Sequence, residues 1–216
     1  MSLTALALAL LLQQDAYALK WTPKTGETHV YEMFLKDKET AVEAVVEHKV
    51  TTTTRNGSYK VRSRSLGALV RSGANEVRDD RPNEATATFD ASGRLREIEG
   101  GTAGLAKYRS ALLSKFVAPL APVKVGDSWT YERDKDAPQG LASVMVQFTL
   151  KAVKDGVAEV AVVFTEKAEK LPQTATGTWW INAKTGVPER FEAKVKNFVG
   201  SDNPETEVRI VLRKPA

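Results

Sequence analysis

The chain has 216 residues, a formal net charge of +4, 27% charged residues and no cysteine. A hydrophobic content of 42% together with this charge balance excludes a largely disordered chain. The absence of cysteine excludes disulfides, thiolate zinc ligands and a cysteine nucleophile. A core of aliphatic and aromatic side chains must therefore hold the fold together.

Residues 1–18 have the pattern of an export signal. The apolar run Leu3–Leu12 is shorter than the roughly 20 residues of a membrane span, and Ala16-Tyr17-Ala18 fits a cleavage site. No Lys or Arg precedes Leu3, and the alternative is a buried N-terminal helix. We expect cleavage after Ala18, export to the periplasm or cell exterior, and no stable membrane span in the mature chain.

The remaining chain contains one strand pattern twice. Residues 26–32, GETHVYE, recur at 126–132 as GDSWTYE, and the alternating apolar positions of 42–50 recur at 142–150. Such self-similarity indicates a duplicated architecture. We divide the chain into a first β repeat (19–101), a connecting helix (102–118) and a second β repeat (119–216), both repeats belonging to one domain.

In the first repeat, alternation of apolar and polar residues over 41–54 predicts a half-buried strand. A tight turn at 37–40 pairs it with the preceding strand and sets His29 opposite His48. Asn56-Gly57 predicts a two-residue hairpin turn, in which Lys49 faces Arg64.

The rest of this repeat is less regular. Residues 74–83 are polar and are interpreted as a loop or an edge segment, because they include Pro82. Residues 85–89 and 95–98 form a second predicted hairpin. Gly100-Gly101 ends the first repeat.

Residues 103–117 form the one convincing helix of the mature chain. Thr102 is its predicted cap, and prolines after the helix stop it. Its apolar positions at helical spacing are Leu105, Tyr108, Leu112 and Phe116. Its predicted solvent face carries Lys107, Arg109 and Lys115.

The second repeat again alternates, and Trp129 is predicted to lie opposite Phe148. Its strands are expected at about 127–133, 141–153, 157–168, 174–182, 187–199 and 205–213. Short turns join them, so a meander is the simplest path. The predicted fold is mainly β: an internally duplicated, long, curled antiparallel sheet, half-barrel-like, with one central helix packed on it.

No catalytic constellation stands out. His29 and His48 occupy slots that hold Trp129 and Phe148 in the second repeat, which favours an aromatic cross-strand pair over a two-histidine metal or pH-sensing site. A metal needs a third ligand that the sequence does not place. We therefore expect no metal, no cofactor and no enzymatic activity. A hydrolase built on carboxylates stays open, but no pair is identifiable.

A set of basic residues lies on one outward strand face: Lys49, Lys60, Arg62 and Arg64. Glutamates share that face, and no aromatic residues alternate with the basic ones. This pattern is typical of a solvated face, the alternative being an anionic partner. We expect no nucleic-acid binding.

Three segments carry a resemblance: 89–95 (FDASGRL), 116–119 (FVAP) and 122–129 (PVKVGDSW). With the helix between them, they resemble an uncharacterised family of bacterial exported β-rich proteins. The resemblance implies export and a β fold, and no activity. The inferred curled sheet is similar to the lipoprotein-carrier half-barrels of the bacterial envelope, although one helix replaces their several lid helices. That departure argues against a large lipid-sized cavity.

The pattern favours a non-enzymatic envelope protein that binds an apolar ligand or an envelope protein segment on a concave sheet face. The alternatives are that these side chains only fill a core, or that the protein is a structural module acting through an exposed sheet edge without a small-molecule ligand. Only one of Trp179 and Trp180 can point inward, and Trp180 is taken as the candidate. The candidate lining residues are Tyr31, Met33, His48, Leu112, Phe116, Trp129, Tyr131, Phe148 and Trp180.

Overall fold

The structure, a computed structural model, describes residues 15–81, 83–101, 105–136, 141–198 and 205–214. It is mainly β, with 61% of residues in strands and 4% in helix. The first repeat contains β1 (Thr28–Lys36), β2 (Thr40–Thr53), β3 (Tyr59–Ser72), β4 (Asn75–Asp79), β5 (Glu84–Phe89) and β6 (Leu95–Gly100). The helix α1 (Leu105–Leu113) follows. The second repeat contains β7 (Ser128–Arg133), β8 (Ser143–Lys154), β9 (Val157–Lys167), β10 (Thr174–Asn182), β11 (Pro188–Lys196) and β12 (Glu205–Leu212).

The described strands form one open, curled, half-barrel-like antiparallel sheet of 12 strands. Its order is β6-β5-β3-β2-β1-β12-β11-β10-β9-β8-β7, with β4 paired to β3 beside this path. Each repeat therefore forms one half of the sheet, and β1 joins β12 at the centre. The predicted fold class is confirmed.

The two repeats enter the sheet through the same local structure. The Gly26 N–H donates to the Val50 carbonyl at 2.8 Å, and the Gly126 N–H donates to the Leu150 carbonyl at 2.7 Å. Both glycines have a φ near +90°, at 89° and 97°, which side chains rarely tolerate. In both repeats the register shifts just after this partner, between Val50 and Thr52 and between Leu150 and Ala152.

The register of the first hairpin is as predicted, with His29 opposite His48. Between Val46 and Val50 the β2–β3 register differs from the prediction by two residues. The turn is longer than two residues, since the Thr54 N–H donates to the Ser58 carbonyl at 2.9 Å, and a bulge follows Val50. A shift of two residues keeps the side chains of this stretch on their predicted faces.

The corrected register changes the outward charges. Arg64 lies opposite Glu47 and not opposite Lys49, and its guanidinium is 3.4 Å from the glutamate oxygen. Arg62 lies 3.9 Å from the Glu84 carboxylate of the neighbouring strand β5, and Lys60 lies 3.9 Å from the Glu99 carboxylate of β6, the next strand beyond it. Lys49 now lies opposite Arg62, so two like charges still face each other, and the ion pairs of Arg62 and Arg64 with glutamates offset this on a solvated face.

Residues 75–79 form the short strand β4, which folds onto the far half of β3. The edge-segment alternative for residues 74–83 is thus the correct one. The near half of β3 pairs with β5 and its far half with β4.

The helix is shorter than predicted and ends at Leu113. The predicted cap, Thr102, lies outside the described residues. Arg109 and Lys115 were expected on the solvent face, and the structure corrects this. Arg109 binds the buried carboxylate of Glu166, and the Lys115 ammonium lies among aromatic rings. Lys115 does not lie on the predicted solvent face of the helix because α1 ends two residues earlier, at Leu113.

The N-terminal part of the described chain packs against the core. Leu19 is 1% exposed, and Tyr17 exchanges two backbone hydrogen bonds with Val123 at 2.8 and 2.9 Å. Cleavage after Ala18 stays a prediction, and it would remove this pair while retaining Leu19. None of the helices in the described part of the chain has the length and hydropathy to cross a membrane.

Candidate binding cavity

A cavity of about 420 Å³ lies between α1 and the inward face of the first repeat. Its volume falls within the range of roughly 300–1,000 Å³ that is usual for small-molecule sites. The walls are contributed by β1, β2, β3, β5 and β6, by α1 and the residues after it, and by Trp21 from the N-terminal segment. The described structure therefore has an apolar, partly covered space on the face that the sequence predicted.

The cavity exists because small residues replace large ones in one repeat only. Ser65 pairs with Val46 in β2, and the same position of the second repeat holds Phe164, paired with Val146. At the next inward position of the same strand pair, His48 faces Ser63, whereas in the second repeat Val162 fills the serine position.

A third difference lies on the neighbouring strand. Ala87 pairs with Val61, and the corresponding pair of the second repeat is Trp179 with Val160. Trp179 is 3% exposed and stacks on Phe191 at 4.3 Å between ring centroids. The second repeat is thus closed by large rings at positions where the first repeat is open.

Four of the predicted lining residues do line the cavity: Tyr31, Met33, His48 and Phe116. Tyr31 and His48 are ring neighbours, with centroids 5.0 Å apart, and the Tyr31 hydroxyl donates to the Pro188 carbonyl at 3.3 Å. These contacts fix the orientation of both rings at the centre of the cavity floor.

Four others are core residues and do not line the cavity: Leu112, Trp129, Tyr131 and Phe148. Trp129 stacks on Phe148 at 5.4 Å, as their predicted pairing requires, and its indole N–H donates to the Val117 carbonyl at 2.9 Å. The segment that follows α1 covers these rings. The expectation that they form an open face is therefore wrong, because the second repeat is filled.

Trp180 does not line the cavity, although it was the candidate of the two adjacent tryptophans. Trp179 faces the cavity, and Trp180 lies on the opposite face, where the Arg190 guanidinium sits 4.7 Å from its ring centroid. Alternation requires the two to diverge but does not say which points inward. The stacking of Trp179 on Phe191 decides it.

Sequence reasoning missed one end of the cavity, where Trp21 closes the space. Its ring lies edge-on to His29 and to Tyr59, each at 5.5 Å. Its indole N–H donates to the Glu27 carboxylate at 3.1 Å, and the His29 ring nitrogen is 2.8 Å from the same oxygen. Burial raises the pKa of Glu27, but these partners and the Lys24 N–H outweigh it and hold the pKa below its usual value.

Lys115 is the second missed residue. Its ammonium lies 4.3 Å from the ring centroid of Phe89, 5.2 Å from that of Trp21 and 5.3 Å from that of Tyr59. Burial lowers the pKa of Lys115 to about 8. No helical or strand pattern indicates this placement, because the residue lies in the irregular segment after α1.

No family model matches this sequence, and the comparisons with curated proteins and with solved structures found no match. The resemblance to exported β-rich proteins therefore rests on the segments named above.

A larger depression, of about 570 Å³, crosses the strands at the centre of the sheet. It includes Phe34, which the Arg209 guanidinium covers at 4.1 Å from the ring centroid, and several charged side chains. Such walls favour hydration over an apolar ligand. Among the residues that the structure describes, no group of three or more His, Asp or Glu residues is placed to hold a metal.

His48, which is half-buried in the cavity floor, predicts a specific dependence of stability on pH. Burial, then the charges of Lys115 and His29, lower its pKa from 6.5 to about 4. The unfolded chain therefore takes up the proton first, so this contribution is complete above pH 6.5 and is lost as the pH falls to 4. The difference corresponds to about 3 kcal/mol.

We expect His48→Phe to fold, because Phe148 occupies the equivalent position. Its unfolding free energy should fall less than that of the wild type between pH 7 and pH 4. Urea denaturation of both proteins across this range is the measurement. Equal losses in the two proteins would show that His48 is not the group that titrates.

Proposed function

We propose that this protein is a non-enzymatic binding protein that holds an apolar ligand in the cavity beneath α1. The observation that supports this most is the difference between the repeats. One repeat fills its inward face with Phe164 and Trp179, and the other has Ser65 and Ala87 at those positions. Empty apolar space costs stability, because its walls lose packing contacts. A cavity that persists despite this loss of stability is consistent with a ligand-binding site.

We further propose that the protein is exported and acts in the periplasm or outside the cell. The apolar run Leu3–Leu12 and the triplet ending at Ala18 support this proposal. Sequencing of the N-terminus of the native protein, expected to begin at Leu19, tests it.

The alternative, an interaction module without a small ligand, depends on a sheet edge. Among the described strands β7 has only β8 as a neighbour, so one of its sides offers unpaired backbone groups. At the opposite edge of the sheet, two backbone carbonyls of β6, those of Ile98 and Gly100, already have the Lys107 amine as a partner at 3.5 Å, so β7 is the more available edge. The cavity is not needed for this second function, which makes the two separable.

Filling the cavity should remove ligand binding. Ala87→Trp places an indole where the second repeat has Trp179, so we expect the chain to fold as before. We expect its affinity for the neutral apolar dye Nile Red, read by fluorescence titration, to be weaker than that of the wild type by about tenfold or more.

Thr88→Trp is the matched control, since it adds the same ring to the opposite face of the same strand. It should bind the dye as the wild type does. No binding by the wild type, or equal binding by all three proteins, would contradict a ligand site in the cavity.

A further inference from the structure

The chemistry of Lys115 narrows the class of ligand. Its side chain reaches from the segment after α1 into the end of the cavity lined by Trp21 and Phe89, where it also contacts the ring of Tyr59. Its contacts there are with the faces of aromatic rings, which attract a cation but leave its N–H donors without a hydrogen-bond acceptor.

No carboxylate of the described residues forms an ion pair or hydrogen bond with this ammonium. Burial, and after it the charge of Glu27 for Tyr31 and of Asp90 for Tyr59, raises the pKa of these two tyrosines. Both carboxylates have other partners. Glu27 accepts from the Lys24 N–H and contacts His29.

Asp90 accepts from Ser92, Arg94 and Arg96 at 2.8–3.0 Å. Neither acid is therefore available as a counter-ion. Lysines withdrawn from solvent are normally paired, so an unpaired, half-buried lysine in the wall of an apolar cavity points to an anion from outside the chain.

We infer that the ligand is an amphiphile with a single anionic headgroup, which the Lys115 ammonium binds at the aromatic end of the cavity while the apolar part occupies the remaining space. This inference rests on the proposed function. The other walls suit an apolar chain, since they include Met33, Val46, Val61 and Ile210. Two histidines line the cavity: His48, whose pKa burial lowers to about 4, is neutral near pH 7, and the His29 ring already has the Glu27 carboxylate as its partner at 2.8 Å.

The chain also offers a contrasting lysine in the same cavity. Lys107 lines it from α1, but its amine lies 3.5 Å from two backbone carbonyls of β6, Ile98 and Gly100. The Lys107 amine therefore has hydrogen-bond acceptors within the protein, whereas the Lys115 ammonium contacts only aromatic rings among the described residues. A headgroup should therefore depend on Lys115.

The test compares dodecanoate with dodecanol as competitors of Nile Red at pH 7. The affinity of the wild type for dodecanoate should exceed its affinity for dodecanol by about tenfold or more, because the carboxylate forms a charge-assisted hydrogen bond with the Lys115 ammonium. Lys115→Met should abolish this preference while retaining dodecanol binding. Lys115→Arg should restore the preference, and Lys107→Met should leave it unchanged.

The outcomes separate the two claims. Equal affinity of the wild type for the carboxylate and the alcohol would overturn the inference and leave the apolar site intact. Binding of neither compound would overturn the proposed function itself. A preference that persists in Lys115→Met would also overturn the inference, whereas the wild-type comparison remains decisive if that variant does not fold.

Discussion

Glu166→Gln should lower the free energy of unfolding by about 3–5 kcal/mol, because it leaves a buried guanidinium without its counter-charge. Arg109 of α1 donates to both oxygens of Glu166 at 3.0 and 2.6 Å, and the Gln173 N–H donates to the same carboxylate at 2.8 Å. The glutamate is 4% exposed, so solvent cannot replace the lost charge. This pair also holds α1, which covers the cavity, to β9 of the second repeat.

The matched control is Glu192→Gln, which breaks the exposed pair between Arg190 and Glu192. Its effect should stay below about 1 kcal/mol, as surface pairs generally do. Denaturant unfolding of the two variants beside the wild type is the measurement. Equal small losses in both would mean that the Arg109–Glu166 pair does not fix the helix.

Leu112→Ala should cost about 2–5 kcal/mol of stability, since it leaves a cavity in a packed core. Leu112 is 6% exposed and faces the core and not the ligand cavity. We therefore expect the affinity for Nile Red to remain unchanged while the denaturation midpoint falls.

Leu120→Ala removes the same side chain where it is 83% exposed and should change stability by less than about 0.5 kcal/mol. A Leu112→Ala protein of normal stability but altered dye affinity would contradict the placement of Leu112 in the core. It would favour the earlier expectation that this residue touches the ligand.

The strands were predictable because alternation and turn residues act locally. The pairing of His29 with His48 and of Trp129 with Phe148 followed from the positions of two turns. The β2–β3 register could not be predicted to the residue, because the bulge after Val50 leaves no clear mark in the sequence.

The site was less predictable than the fold. Tyr31, Met33 and His48 were found because alternation gives their face. Lys115 was missed because a helical pattern was extended past the residue at which α1 ends. The cavity itself arises from substitutions such as Ser65 for Phe164, whose equivalence depends on the registers of two separate hairpins.

The structure of the protein crystallised with dodecanol or dodecanoate tests the central claim most directly. We predict density for the alkyl chain between α1 and the inward faces of β2, β3 and β5, in contact with Val61 and Ala87. A cavity closed by collapse of α1 onto these strands, or a ligand bound elsewhere on the sheet, would contradict the account.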